Sequence, residues 1–313
     1  MFRSSFMRRS HVLSLLPLLA LAACQSVPPT VVTNVPPPIA SGPPGSTPAK
    51  PPVPRDPPRI GLALGGGAAR GFAHIGVIQV LEEAGIRPSL VVGTSAGSLV
   101  AALYASGLNG RQLGELALAM DESAITDWAY PGRGLLRGEA LARYVREHTG
   151  AKTIEQMKLP LGIVATDLDS GAPILFQRGD TATAVRASSA VPAVFQPVRI
   201  GNREYVDGGL VSPVPVRFAR QMGAELVVAV DITSPPDGQP TGDAMRMLLQ
   251  TFSIMGRSIN TFELKEADLV LRPRLDGVGS ADFTARKRAI QAGREVAQSL
   301  LPQLRQRIAM QSQ

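Results

Sequence analysis

The sequence predicts an α/β fold, a mainly parallel central sheet sandwiched by helices in three layers. Three observations carry that expectation. Short apolar runs without polar alternation recur, as in Ile60–Leu64, Leu90–Val92 and Leu226–Val230, the pattern of strands buried on both faces. Segments with helical spacing lie between them. Glycines punctuate the junctions, at Gly65-Gly66-Gly67, Gly85, Gly93 and Gly107.

The elements follow in order from Pro58. Arg59–Leu64 reads as the first strand. Phe72–Ala84 is helical, because Phe72, Ile75, Val77, Ile78 and Leu81 share a broad face, and Gly85 suits its C-cap. Leu90–Val92 is a second strand, and Ser95–Ser106 a buried helix of small residues. A more helical, variable stretch runs from Asn109 to Met157. Leu161–Ala165 and Ile174–Phe176 read as strands, and Thr181–Ser188 as a short helix. Leu226–Val230 and Leu269–Leu271 complete the strands. Residues 242–262 and 282–307 are helical, with Pro302 expected to break or kink the last helix. No internal repeat is visible. Repeated βα units of this kind build a parallel sheet covered on both faces.

The N-terminal 58 residues belong to no such pattern. Residues 1–23 read as a secretory signal: Arg3, Arg8 and Arg9 precede an apolar run from Val12 to Leu21. That run falls well short of the roughly 20 residues a membrane-spanning helix needs. Leu21-Ala22-Ala23-Cys24 resembles a bacterial lipobox, in which Cys24 becomes the first mature residue and carries lipid chains. Cys24 is the only cysteine, so no disulfide can form within the chain. Gln25, being other than Asp, implies by the same resemblance sorting to the outer membrane, facing the periplasm. Residues 24–58 then read as a lipidated cysteine and a tether, since 13 of the 27 prolines fall between Pro28 and Pro58. Residues 59–313 form the folded domain.

Composition narrows the function classes. Hydrophobic residues make up 44% of the 313, enough for a sizeable core, and aromatics only 4%. The formal charge of +7 falls to about +4 without the three N-terminal arginines. No dense Lys/Arg block with interleaved aromatics occurs, so nucleic acid is not an expected partner. Mild attraction to anionic lipid fits the same balance.

Two motifs carry chemistry on their own residues. Gly93-Thr94-Ser95-Ala96-Gly97 lies between a strand and a helix, the context of a nucleophile elbow. Gly93 and Gly97 leave room for a sharp turn that lifts Ser95, and the helix start aims free N–H groups and a positive end at the site. The rival reading makes Ser95 a plain helix N-cap. Gly65-Gly66-Gly67-Ala68-Ala69-Arg70-Gly71 suits an anion-binding nest for an oxyanion, with Gly65, Gly66, Gly67, Arg70 and Ala96 as its candidate members. It fails as a dinucleotide fingerprint because Arg70 occupies the third glycine position, and no Gly-Lys-Ser/Thr follows for a P-loop. Arg70 is open to three roles: charge near the site, a lipid-phosphate contact, or a structural ion pair. Asp207-Gly208-Gly209 alone is only a turn signal.

Together these segments resemble the patatin-like phospholipase family. Gly65–Gly71, Gly93–Gly97 and Asp207-Gly208 occur in its order, with Ala165-Thr166-Asp167-Leu168, Ala187–Pro192 and Pro213-Val214-Pro215 among them, across residues 59–231. The resemblance implies a modified α/β-hydrolase-like fold and a Ser95–Asp207 dyad in place of a triad. It implies cleavage of phospholipid or lysophospholipid acyl esters, with no metal and no cofactor. The histidine census agrees: His11 lies in the signal, and His74 and His148 both precede Asp207, so the order Ser, acid, His is unavailable. His74 stays open to a catalytic or a packing role. Asp167 is expected to support the site rather than act as base, and Ser188 and Ser189 lack an elbow. Trp128, Tyr130, Leu135 and Leu136 are open to an acyl pocket, a membrane-facing lid or ordinary packing. Two rival functions remain: a catalytically silent lipid- or partner-binding lipoprotein, and another serine hydrolase such as a thioesterase or peptidase. Oligomeric state is not readable.

Overall fold

The computed structural model describes residues 56–129, 133–233 and 242–312. The signal, Cys24, nearly all of the proline-rich tether and Tyr130 lie outside the described residues. The described part is an α/β fold with ten strands and eight α-helices. Its main sheet has eight strands, in the order β10-β9-β1-β2-β4-β8-β7, with β5 also paired to β4. The strands are β1 (Ile60–Leu64), β2 (Leu90–Thr94), β4 (Leu161–Asp167), β5 (Pro173–Phe176), β7 (Val198–Ile200), β8 (Arg203–Asp207), β9 (Leu226–Val230) and β10 (Leu269–Leu271). The β10-β9-β1-β2-β4 block is parallel, whereas β5, β8 and β7 join antiparallel to their neighbours. A separate parallel pair joins β3 (Gly134–Leu136) to β6 (Ala193–Phe195).

Side-chain alternation along the strands separates two cores. Leu62, Leu64, Val91, Ile163, Val228 and Val230 pack into the larger one, against α1 (Phe72–Glu83), α2 (Ala96–Ser106), α3 (Gly110–Ala119), α4 (Glu139–Thr149), α5 (Thr181–Ser188) and α8 (Arg286–Gln311). Ala63, Leu90, Val92, Val164, Val227 and Ala229 pack on the opposite face with Val216, Phe218 and Ala219 of α6 (Val216–Gln221). The remaining helix, α7 (Ala244–Glu263), lies along the edge of the site described below. Burial on both faces is why these strands read as unbroken apolar runs.

The helix α8 closes the larger core by touching α1 at backbone distance. A Cβ on Gly76 would meet the Ile290 carbonyl, and one on Gly293 the Ala73 carbonyl. Gly293→Val is therefore expected to destabilise the fold by at least about 2 kcal/mol in urea unfolding, since both obstacles are main chain and cannot rotate away. The expected break at Pro302 does not occur, and α8 runs through it to Gln311. Pro302 and Gln298, whose carbonyl loses its partner, are both exposed. Water can satisfy that carbonyl where a buried one would be orphaned.

The sheet also brings two distant motifs together. Thr94 pairs with Val164 across β2–β4, and Ala165 pairs with Asp207 across β4–β8. The other edge of β4 is taken by β5 over the same residues, so β8 continues the edge that β2 vacates. Asp207 therefore occupies the lattice position just beyond Thr94, where the chain leaves the sheet at Ser95.

Candidate active site

Ser95 stands between β2 and α2 with φ 52° and ψ −125°, a conformation that L-residues rarely adopt. The turn is possible because its flanks are bare. A Cβ on Gly93 would strike the Gly97 carbonyl, and one on Gly97 would strike the Leu64 carbonyl. The residue takes the N-cap position of α2, but its side chain caps nothing. Its hydroxyl is left for the site, which separates this turn from the plain N-cap alternative. Ser98 Oγ donates to the Ser95 carbonyl at 2.6 Å, and Thr94 Oγ1 donates to the Ser212 carbonyl at 2.8 Å. Ser212 Oγ in turn donates to Glu263 at 2.6 Å.

Asp207 ends β8 and is buried. Its Oδ1 accepts the Gly209 N–H at 2.6 Å. Burial pushes its carboxyl up to about 6, against the opposing pull of the Ser95 hydroxyl and the Gly209 N–H. The Ser95 hydroxyl is near enough to exert that pull, yet Oδ2 is buried with no partner in full hydrogen-bond geometry among the described residues. Such contacts often tighten only when substrate arrives. Ser95 and Asp207 line one cavity of about 950 Å³, together with Gly66, Gly67, Ala68 and Arg70. A groove of about 1030 Å³ along α1, α3 and α8 lies elsewhere, and pairs such as Arg111–Glu115 and Arg294–Glu83 occupy its charged lining.

The glycine loop differs from its sequence expectation. The Gly65 N–H donates to the Val230 carbonyl at 3.0 Å and the Gly66 N–H to the Pro213 carbonyl at 2.9 Å. Neither amide is free for an oxyanion. Gly66 instead brings its backbone against Ser95, where a Cβ would stand 3.1 Å from the Ser95 Cβ. Among the described residues, Gly67, Ala68 and Ala96 have no backbone partner for their N–H groups. Ala68, at φ 49°, is a donor that sequence reasoning missed. Arg70 is corrected too. Its guanidinium donates to the carbonyls of Ile232 at 2.8 Å, Thr233 at 3.2 Å and Val278 at 3.4 Å. Those bonds tie the glycine loop to neighbouring loops and leave it no aim at the reacting centre.

His74 is completely buried, 2.8 Å from the Gly65 carbonyl through Nε2. Burial lowers its pKa to about 4, so the ring is neutral, donates from Nε2 and steadies the loop. Asp167 pairs with Arg203 at 2.6 Å and accepts from Ser170, and these contacts hold its carboxyl down at about 2. It fixes the turn after β4, as expected of a supporting residue. His148 packs edge-on against Tyr144 on α4. Trp128, 78% exposed, bridges to Leu136, and neither these nor Leu135 lines the Ser95 cavity. The apolar wall comes instead from Leu249, Phe252 and Gly256 of α7, with Val191, Pro192, Leu210, Leu275 and Val278.

Ser188 is the other residue that sequence reasoning undervalued. Its Oγ accepts the Ser95 N–H at 2.8 Å and donates to the Val164 carbonyl at 2.5 Å. The only sequence signal was its place in Ala187–Pro192. Ser188→Ala orphans a buried N–H, at a cost of about 1–3 kcal/mol. It is expected to lower kcat for a soluble ester about ten-fold with little change in KM, while circular dichroism shows the fold retained.

Among the described residues, no group of three or more His, Cys, Asp or Glu is placed to hold a metal ion. Chemically, a serine in a strained turn, a buried carboxylate of raised pKa and unpaired amides at a helix start can support acyl transfer.

The patatin-like phospholipase family profile matches residues 62–220. An uncharacterised NTE family protein of Mycobacterium tuberculosis is 38% identical over 190 residues, covering 60% of this chain and 52% of that protein. Patatin-like phospholipase domain-containing protein 6 of Mus musculus is 36% identical over 183 residues, covering 56% of this chain and 14% of that protein. The chain thus spans about half the length of the mycobacterial relative and far less of the mouse protein. Among solved structures, VipD from Legionella pneumophila superposes with a TM-score of 0.55 at 17% identity, covering 80% of this chain and 68% of that one. That likeness concerns the fold.

Proposed function

Because the chain belongs to the patatin-like phospholipase family, we propose that it is a metal-independent serine acyl hydrolase of phospholipids and lysophospholipids, working through Ser95 and Asp207. The observation that carries the reading is the pairing of a strained, uncapped serine with a buried carboxylate whose pKa is raised to about 6. A carboxylate at its ordinary value, about 3.9, is a poor base toward a serine hydroxyl. Raising it brings the proton affinity closer to the task while leaving it ionised at neutral pH.

In this mechanism Ser95 Oγ attacks the ester carbonyl carbon as its proton passes to Asp207. The carbonyl electron pair moves onto oxygen, which the amides of Gly67, Ala68 and Ala96 stabilise as an oxyanion. The intermediate collapses, the ester C–O bond breaks, and Asp207 returns the proton to the leaving alkoxide. The acyl group is then held on Ser95. Water attacks it with Asp207 again accepting the proton, and Asp207 returns that proton to Ser95 Oγ as the fatty acid leaves. The apolar cavity wall fits an acyl chain.

The N-terminal reading enters here as well. We propose residues 1–23 as a removable signal, Cys24 as a lipidated anchor, residues 24–58 as a tether, and the bacterial outer membrane, on its periplasmic face, as the location. Mass spectrometry of the mature protein should find an acylated N-terminal Cys24, and Cys24→Ser should abolish palmitate incorporation.

Purified protein on mixed phospholipid vesicles is the test of activity. The expected result is release of free fatty acid and lysophospholipid, with Ser95→Ala at background. Thioester or casein cleavage with no release from vesicles would favour a different serine hydrolase, and inertness toward all substrates a silent binder.

A further inference from the structure

We infer that the outward face of α7, the helix whose other face walls the Ser95 cavity, docks on an anionic lipid bilayer. The inference deepens the proposed phospholipid hydrolysis and rests on it for its meaning, though docking is measured separately from turnover. At 3.6 residues per turn the helix divides cleanly. Phe252, Ser253 and Gly256 face inward and line the cavity, and Leu249, 36% exposed, borders it with Arg246. Met247, Ile254 and Phe262 fall on the opposite side, 59%, 54% and 70% exposed, with Met255 beside them. Among the described residues nothing covers that stripe. Single exposed apolar residues are ordinary, but a stripe along a 20-residue helix marks an interaction face.

Charge selects the occupant. From Ala244 to Phe262 there is no acidic residue, and the only charges are Arg246, which pairs with the N-cap Asp243 at 3.2 Å, and Arg257 on the same flank of the helix. Lys265 follows, its ammonium 5.3 Å from the Phe262 ring centre. An apolar stripe flanked by cations is the pattern of a helix lying in a membrane interface. Among the described residues no helix is long and apolar enough to cross a membrane. The helix is also joined to the catalytic turn. Glu263 at its C-terminal end accepts from Ser212 Oγ, and a Cβ on Gly256 would stand 3.3 Å from the Pro213 ring. A bilayer holding the outer stripe would therefore hold the cavity wall too.

The test uses the full chain with Trp128→Phe, which removes the single native tryptophan, and Ile254→Trp, which places a reporter on the stripe. A Ser95→Ala copy separates docking from turnover. Phosphatidylglycerol vesicles are expected to shift the emission to the blue in both copies, and phosphatidylcholine vesicles to do so less. A protein anchored only through its N-terminus would give no shift from the introduced indole, and that result overturns the inference. So does blue emission before any lipid is added, which would mean cover by the chain's own N-terminal segment. A shift that follows protein concentration without lipid would mean a second copy, and equally rejects it. As a second readout, Met247→Glu with Phe262→Glu should lower vesicle hydrolysis about ten-fold or more and leave p-nitrophenyl butyrate hydrolysis within about two-fold of the parent. Equal loss on both substrates contradicts docking. Loss of all activity in the parent would sink the hydrolase reading while leaving the fluorescence result intact.

Discussion

Asp207→Asn is expected to abolish ester hydrolysis and yet make the protein more stable at neutral pH. Loss of the base should cost on the order of 10³–10⁴ in kcat. The stability gain follows from burial, which holds the carboxyl at about 6 in the folded protein, against roughly 3.9 in an unfolded chain. The folded state thus binds this proton more tightly than the unfolded state does. Below about pH 4 both states are protonated and the site costs nothing. Between about pH 4 and 6 the unfolded chain releases this proton while the folded protein keeps it, so stability is lost, and the loss levels off once pH passes the folded value of about 6. Two pKa units correspond to about 3 kcal/mol once pH exceeds 7. Asparagine carries no such charge and keeps an acceptor for the Gly209 N–H. Urea unfolding of parent and variant should coincide near pH 4 and diverge by pH 7, with the variant the more stable. A variant of equal or lower stability at pH 7 would mean the carboxylate is not strained by burial.

The second large effect separates the two costs that Ser95 carries. Ser95→Ala and Ser95→Gly should both reduce turnover to background. Only glycine tolerates φ 52°, ψ −125° without steric conflict. Such backbone strain costs of order 1–3 kcal/mol, and glycine's greater freedom in the unfolded chain returns part of it. Ser95→Gly should therefore be more stable than Ser95→Ala by about 1 kcal/mol, read as a higher Tm at the same pH. The reverse order would show that the turn is relaxed.

Much of this fold is legible in local sequence because the buried strands carry it. Ile60–Leu64, Leu90–Thr94 and Leu226–Val230 have no polar face, and the glycines at 93 and 97 mark a turn that no side chain could share. The antiparallel end was harder to read. β6 and β7 have three residues each, and β8 opens with Arg203 and Glu204, so period and length give little signal. Asp207 lies 112 positions from Ser95, and its placement depends on register across β4, which no local pattern encodes. The same applies to the amides of Gly65 and Gly66. Three glycines signal an anion nest, but their acceptors, Val230 and Pro213, come from β9 and the segment after β8, distant in sequence. Ser188 looked idle because its hydrogen bonds reach Ser95 and Val164 across the core. The wall from α7 was hidden for another reason: amphipathic spacing shows that a helix has two faces, not which of them lines a cavity.

The most direct measurement is the pH dependence of fluorophosphonate labelling, with the modified residue identified by mass spectrometry. Labelling should fall on Ser95 alone, rise with a midpoint near pH 6, and become slow and flat with pH in Asp207→Asn. Modification at another residue, or an asparagine variant that labels as fast as the parent, would contradict a serine driven by the buried carboxylate beside it.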